Sequence, residues 1–226
     1  MKESILTNKT FQFIIRSATA VSFTLFTVYQ CFLAIYVEES RVGRLIGIVL
    51  YLFITLAAYF DFSGKNSFWM LHSIFLVTGL VLLFALRMLN LPGMISSFRI
   101  DNMPSVLNIA VYAFTQLGTL ILVAGFLLLR TRLKKKTMVR LTIILMIAVI
   151  VLFVLSFIME CVLLLVYRSN IDLSRKFTLI SRFLFCAAFV GTAVSFMLPV
   201  PDTVEKIQEG RYIYSEADED EVDLVI

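Results

Sequence analysis

The stretch that decides the fold is residues 141–167, LTIILMIAVIVLFVLSFIMECVLLLVY. It consists almost wholly of Leu, Ile, Val, Met and Phe, and Glu160 is its only charged residue. A helix needs about 20 apolar residues to cross the hydrocarbon core of a bilayer. The stretch is therefore long enough to form a transmembrane helix, and it places a carboxyl group inside that helix.

The rest of the chain has the same apolar character. Of its 226 residues, 60% are hydrophobic and 16% are charged, and the mean hydropathy is +0.92. Soluble domains are about 45–50% apolar and about 25% charged, and disordered chains combine low hydrophobicity with high net charge. The composition therefore argues against both classes and indicates an integral membrane protein.

Six apolar runs predict an all-α polytopic membrane protein, a bundle of six transmembrane helices within residues 1–200. The runs are continuous, whereas the strands of a β-barrel would alternate apolar and polar residues. Most connections between them are short, so sequential helices should be antiparallel neighbours. The predicted spans are residues 11–37, 45–62, 68–89, 105–129, 141–167 and 177–200.

The longest connection, 90–104, contains Leu91, Pro92 and Gly93 followed by scattered apolar residues. It is a candidate for an interfacial or re-entrant segment. The alternative is an ordinary extracytoplasmic loop with a few apolar anchors. The sequence favours the loop, because non-helical backbone at membrane depth needs protein or water around it.

Lysine and arginine residues determine the expected orientation, because they accumulate on the cytoplasmic side. The largest cluster, here called the basic loop, lies between the fourth and fifth runs. It predicts that both termini are cytoplasmic. We expect it to contact anionic lipid headgroups, which attract Lys and Arg, and we expect no nucleic-acid partner. The basic loop comprises Arg130, Arg132, Lys134, Lys135, Lys136 and Arg140.

The C-terminal segment 201–226 is predicted to be an acidic, disordered cytoplasmic tail. It carries nine acidic and two basic residues, and such runs repel themselves. The pattern favours a solvated tail. The alternative is a docking peptide for a cytosolic protein partner.

Polar groups inside the spans are the main functional signal, because an ionisable residue in the membrane is costly. Glu160 lies seven residues before Tyr167, roughly 10 Å below the outer end at 1.5 Å per residue. It must therefore be neutral, paired or facing water. We hypothesise that it pairs with Arg182 as part of an outward-facing polar pocket. The candidate residues are Glu160, Arg182, Arg87, Asn108, Gln116 and Ser156.

Other polar residues in the spans have simpler expected roles. The Glu160–Arg182 pair could alternatively serve only to lock the fifth and sixth helices together. Arg16 lies close enough to the inner end of its span to extend its charge to the interface. His72, the only histidine, is expected to be a hydrogen-bonded structural residue.

No catalytic motif appears, and the three cysteines lie in apolar runs where they behave as small hydrophobic residues. We therefore expect no metal, no cofactor and no enzymatic activity. The sequence favours a sensory, scaffold or accessory module in the cytoplasmic membrane. The alternative is a small-solute carrier whose outward-facing pocket is formed by Glu160, Arg182 and Arg87.

Overall fold

The computed structural model describes residues 9–36, 41–63, 66–130, 136–167 and 173–198. In these ranges all regular structure is helical, which confirms the all-α class. The predicted tail, 201–226, and the centre of the basic loop, 131–135, lie outside the described residues. The helices are α1 (Lys9–Tyr36), α2 (Arg41–Ser63), α3 (Asn66–Met88), α4 (Leu91–Ser96), α5 (Met103–Arg130), α6 (Lys136–Val166) and α7 (Leu173–Met197).

Five of these helices, namely α1, α3, α5, α6 and α7, are long and apolar enough to cross a membrane. The apolar part of α2, Leu45–Asp61, is shorter. Large apolar side chains cover the outside of the bundle, and Val28, Leu120 and Ile147 are each at least half exposed. Such a surface is stable against lipid and unfavourable in water. The protein is therefore a multi-pass helical membrane protein.

The six long helices form a closed ring. Each helix packs against its neighbours along the chain, and α7 returns to pack against α1. Consecutive long helices run antiparallel, so the ring has two ends. One end, here called the α4 end, contains α4 together with the end of α3, the start of α5, the end of α6 and the start of α7. The opposite end, here called the Asp61 end, contains the start of α1, the end of α2, the start of α3 and the end of α7.

The short helix α4 lies on the surface of the ring. None of its residues is buried, and Leu89, Ile95 and Ile100 around it are strongly exposed. The segment 90–104 is therefore a surface helix with a following turn, and it does not enter the bundle as a re-entrant element would.

The centre of the ring is filled by phenylalanine rings, here called the aromatic layer: Phe23, Phe26, Phe153, Phe185 and Phe189. The ring of Phe153 stacks on that of Phe189 with centroids 4.7 Å apart, and Phe23 meets Phe189 edge-on at 5.5 Å. Phe185 contacts both Phe189, at 4.6 Å, and Phe26, at 5.2 Å. All five side chains are buried, so α1, α6 and α7 are joined by a closely packed layer.

Small residues allow the ring to close. A Cβ added at Gly191 of α7 would overlap the hydroxyl of Thr19 in α1 and lie 3.5 Å from the Cα of Thr19. Thr19 is itself held by a 2.8 Å hydrogen bond to the carbonyl of Ile15, so its side chain has little freedom to move. Gly191 is therefore needed for the close contact between α1 and α7.

We predict that Gly191→Ala lowers the stability of the purified protein by about 1–3 kcal/mol, the usual cost of overpacking. Gly47→Ala is the matched control, because nothing lies within 4 Å of a Cβ at Gly47. In a helix this change should be neutral or stabilising by up to about 1 kcal/mol. Thermal unfolding in detergent measures both variants, and an equal loss in the two would contradict the role of Gly191.

Candidate functional site

An ion pair joins α6 and α7 near the α4 end. The Nε of Arg182 lies 2.8 Å from Oε1 of Glu160. The antiparallel arrangement of α6 and α7 brings the two residues to the same depth. The Glu160 side chain is 13% exposed and that of Arg182 is 45% exposed. The carboxylate is thus largely enclosed, and its cation faces the open side.

Arg87, in the last turn of α3, approaches the same region but has different partners. Its Nη2 donates to the hydroxyl of Tyr51 at 3.1 Å, and its guanidinium carbon lies 4.9 Å from the centroid of the Phe185 ring. Tyr112 of α5 donates to the backbone carbonyl of Arg87 at 2.9 Å. Arg87 forms no direct ion pair with a carboxylate of the described residues. Its direct contacts are an aromatic face and a hydroxyl, and the Glu160 carboxylate attracts it from a greater distance.

These groups surround a cavity of about 250 Å³ at the α4 end. Five of the six residues of the predicted pocket lie in its wall, and the sixth, Ser156, does not. The exposed residues Asn90 and Asn108 lie where the cavity meets the surface. The wall consists of Arg87, Asn90, Met94, Asn108, Val111, Tyr112, Thr115, Gln116, Glu160 and Arg182.

Gln116 is the most unusual residue of the wall. It is 5% exposed, and neither its amide nitrogen nor its amide oxygen has a hydrogen-bond partner among the described residues. Gln116 lies one helical turn beyond Tyr112 on the same face of α5. A buried polar group without a partner costs about 1–3 kcal/mol. The wall of the cavity therefore contains a buried amide whose nitrogen and oxygen lack partners among the described residues.

Ser156 lies against α5 and supports the wall. Its hydroxyl and that of Thr115 are 2.9 Å apart and share a hydrogen bond, and it is also 3.3 Å from the carbonyl of Val111. Ser156 is one turn before Glu160, as the sequence indicates, yet it packs between helices and does not line the cavity. Its contacts hold α5 against α6 next to the ion pair.

A second polar cluster at the Asp61 end was not predicted from the sequence. Oδ1 of Asp61 lies 3.6 Å from Nε of Arg16, and Oδ2 accepts a hydrogen bond from the Ser195 hydroxyl. His72 lies against the same small cavity as Asp61 and Ser195, and its Nδ1 is 2.7 Å from the carbonyl oxygen of Ala57. His72 is hydrogen-bonded, as expected.

Arg16 differs from its expected role. It is 8% exposed and turns towards Asp61, whereas the sequence suggested that it extends to the membrane interface. The signal was available, because Arg16 is near the start of one span and Asp61 at the end of the next. Antiparallel neighbours bring such positions to the same depth.

The arrangement offers hydrogen bonds and charges, with no cluster suited to a metal. Within the described ranges no three His, Cys, Asp or Glu residues come together to hold one. Comparisons with protein-family models, curated proteins and solved structures found no match to the chain. The function is therefore inferred from the geometry of the cavity.

We predict that Gln116→Leu raises the free energy of unfolding of the ligand-free protein by about 1–3 kcal/mol, because it removes two buried polar atoms that lack partners. The matched control is at Thr115, where the polar group does have a partner. Thr115→Val removes the hydrogen bond to Ser156 and should lower the free energy of unfolding by about 1 kcal/mol. Thermal unfolding in detergent compares them, and a destabilised Gln116→Leu protein would show that the amide has a structural partner.

We further predict that Asp61→Asn destabilises the protein by about 3 kcal/mol, since it leaves the buried charge of Arg16 without its anion. The double variant Arg16→Met with Asp61→Asn should recover much of this loss, because no uncompensated charge remains. Chemical denaturation measures both variants. A single variant as stable as the native protein would show that this pair is not required for the fold.

Proposed function

We propose that the protein is a non-enzymatic membrane carrier for a small polar solute, which enters the cavity at the α4 end. One observation carries this proposal: a cavity with an ion pair and an unpartnered amide lies within an otherwise apolar ring. Intramembrane ionisable groups are costly and mark solute pathways in many membrane proteins. A purely structural ion pair would not require Gln116 to remain without partners.

The polar groups at the other end of the ring support transport in particular. Arg16, Asp61 and Ser195 connect α1, α2 and α7 there, and the aromatic layer lies between this cluster and the cavity. A carrier needs a site that is open to one side at a time. In this proposal the structure represents the outward-open state, in which the cluster at the Asp61 end is closed.

The proposal includes the topology expected from the sequence. The chain crosses the cytoplasmic membrane six times, with both termini inside and the cavity facing out. The position of α2 between α1 and α3 in the ring supports its role as a span, although its apolar part is shorter than the others. The basic loop then contacts anionic headgroups, and the acidic tail, 201–226, is available to a cytosolic protein.

A sensory or accessory module is the second candidate, and the packing of the aromatic layer favours it. Phe153, Phe185 and Phe189 are buried and in mutual contact, so the cavity is closed on the inner side. In this case the solute binds from outside and changes the conformation of the helix ring, but it does not cross the membrane. The two candidates share the binding site and differ in its access from the cytoplasm.

We predict that a cysteine replacing Gln116 reacts with an anionic, membrane-impermeant methanethiosulfonate from both sides of the membrane. Alternating access exposes this position to each side in turn. The variant is made with Cys31, Cys161 and Cys186 changed to Ala, and labelling is compared in right-side-out and inverted vesicles. Val149→Cys is the control, because Val149 is fully buried in the core and should not react.

The result separates the candidates. Reaction from both sides supports the carrier, and reaction from the outside alone supports the sensory module. A cysteine at position 116 that is as unreactive as one at position 149 would contradict a water-filled cavity and both candidates with it.

A further inference from the structure

The wall of the cavity carries an excess positive charge. Among the described residues that line it, Arg87 and Arg182 are cationic and Glu160 is anionic. Glu160 is engaged by Arg182 at 2.8 Å. The Glu160 carboxylate also attracts Arg87. One carboxylate therefore serves two guanidinium groups, which leaves a net positive charge in a region where such a charge is unfavourable.

The chemistry of Arg87 favours a carboxylate as the ligand group that balances this net charge. A guanidinium has five N–H donors in a planar fork, and only Nη2 has a hydrogen bond to a described residue, to Tyr51. The fork matches the two oxygens of a carboxylate. Tyr51 and Phe185 hold the group in place from one side, which reduces the entropy lost when a ligand binds.

Gln116 adds a second requirement. Its amide has an unpartnered donor and an unpartnered acceptor, so a simple anion would satisfy its nitrogen and leave its oxygen without a donor. Tyr112 contacts the backbone of Arg87, and Gln116 is the next residue on that face of α5. Arg87 and Gln116 both line the cavity, so a ligand that carries a hydroxyl near its carboxylate has a group for each of them.

The volume of the cavity limits the size of the ligand. At about 250 Å³ it is below the range of about 300–1,000 Å³ that is typical of drug-sized ligands. Nucleotides are therefore too large, and neutral sugars would leave the excess charge of the wall unbalanced. The excess of a single positive charge favours a monoanion over a zwitterion, because a zwitterion would leave the net charge of the cavity unchanged.

We infer that the cavity binds a small 2-hydroxy monocarboxylate, with the carboxylate on Arg87 and the hydroxyl donating to the amide oxygen of Gln116. This inference rests on the proposed solute-binding function of the cavity. The hydroxyl oxygen or a second carboxylate oxygen accepts from the amide nitrogen. Each of the unpartnered groups described above then has a partner.

Calorimetric titration of the full-length protein in lipid nanodiscs tests the inference with three probes of similar size. Lactate has both recognition groups, acetate lacks the hydroxyl and lactamide lacks the charge. We expect lactate to bind at millimolar concentration or better, and the other two to bind about tenfold more weakly, since each leaves one buried group unpartnered. Acetate as tight as lactate would indicate a simple anion site and overturn the inference.

Two variants assign each group of the ligand to a residue. Gln116→Leu should remove the preference for lactate over acetate, and Arg87→Gln should remove the preference for lactate over lactamide. Arg99→Gln is the matched control, because Arg99 is exposed and outside the cavity wall. This variant should bind the three probes as the native protein does. If loss of the Tyr51 contact prevents Arg87→Gln from folding, Gln116→Leu still decides, because it is expected to be more stable than the native protein.

The outcomes separate the ligand class from the carrier function. If lactate fails to bind while a cysteine at position 116 reacts from both sides, the ligand class is wrong and the carrier stands. If lactate binds with the expected preferences while position 116 reacts from the outside alone, the ligand class is correct and the proposed transport function is wrong. Preferences that are unchanged in Gln116→Leu would overturn the assignment of the hydroxyl.

Discussion

A carboxylate within a membrane helix must have a counter-charge or water, and Glu160 is paired with Arg182 in the wall of a cavity. Its ion pair with Arg182 connects α6 to α7 at the level where α3 and α5 bring Arg87 and Gln116 to the same cavity. If Glu160 were replaced by an apolar residue, the stretch 141–167 would contain no charged residue. Glu160 is therefore the charge that α6 contributes to the α4 end, and the other polar groups of the cavity come from α3, α5 and α7 and from Asn90.

The ring concentrates its polar groups at two ends and its aromatic groups between them. At the α4 end the groups remain partly unsatisfied, as Gln116 and Arg87 illustrate. At the Asp61 end the carboxylate of Asp61 is satisfied by Arg16 and Ser195. Arg16 Nε, however, is also buried without a hydrogen bond, so the two ends differ mainly in space: the cavity is about 250 Å³ at the α4 end and about 10 Å³ at the Asp61 end. This difference in volume is the physical basis for assigning solute binding to the α4 end and a closing contact to the Asp61 end. The close contacts at Gly191 and in the aromatic layer keep the two ends apart.

Much of this architecture follows from the sequence, because long apolar runs with short connections permit few arrangements. The depth of each residue along its apolar run is enough to predict that Glu160 and Arg182 lie together. The rotation of a helix about its axis is harder to predict. The sequence therefore places Ser156 in the cavity wall, whereas the structure packs its hydroxyl against that of Thr115. The Arg16–Asp61–Ser195 contacts depend on closure of the ring between α1 and α7, which no local pattern encodes. The absence of partners for Gln116 likewise emerges only once every neighbour is in position.

The most direct test of a water-filled cavity inside an apolar ring is a spin-label accessibility scan along α5. Labels at Tyr112 and Gln116, on the cavity face, should be relaxed by a water-soluble nickel complex. Labels at Ala113, Leu117 and Leu120, which are exposed on the outer face, should be relaxed by oxygen dissolved in lipid. The predicted result is that accessibility to the nickel complex and accessibility to oxygen peak at different positions, each with the period of an α-helix. Oxygen access on both faces, or no nickel access at positions 112 and 116, would contradict the account.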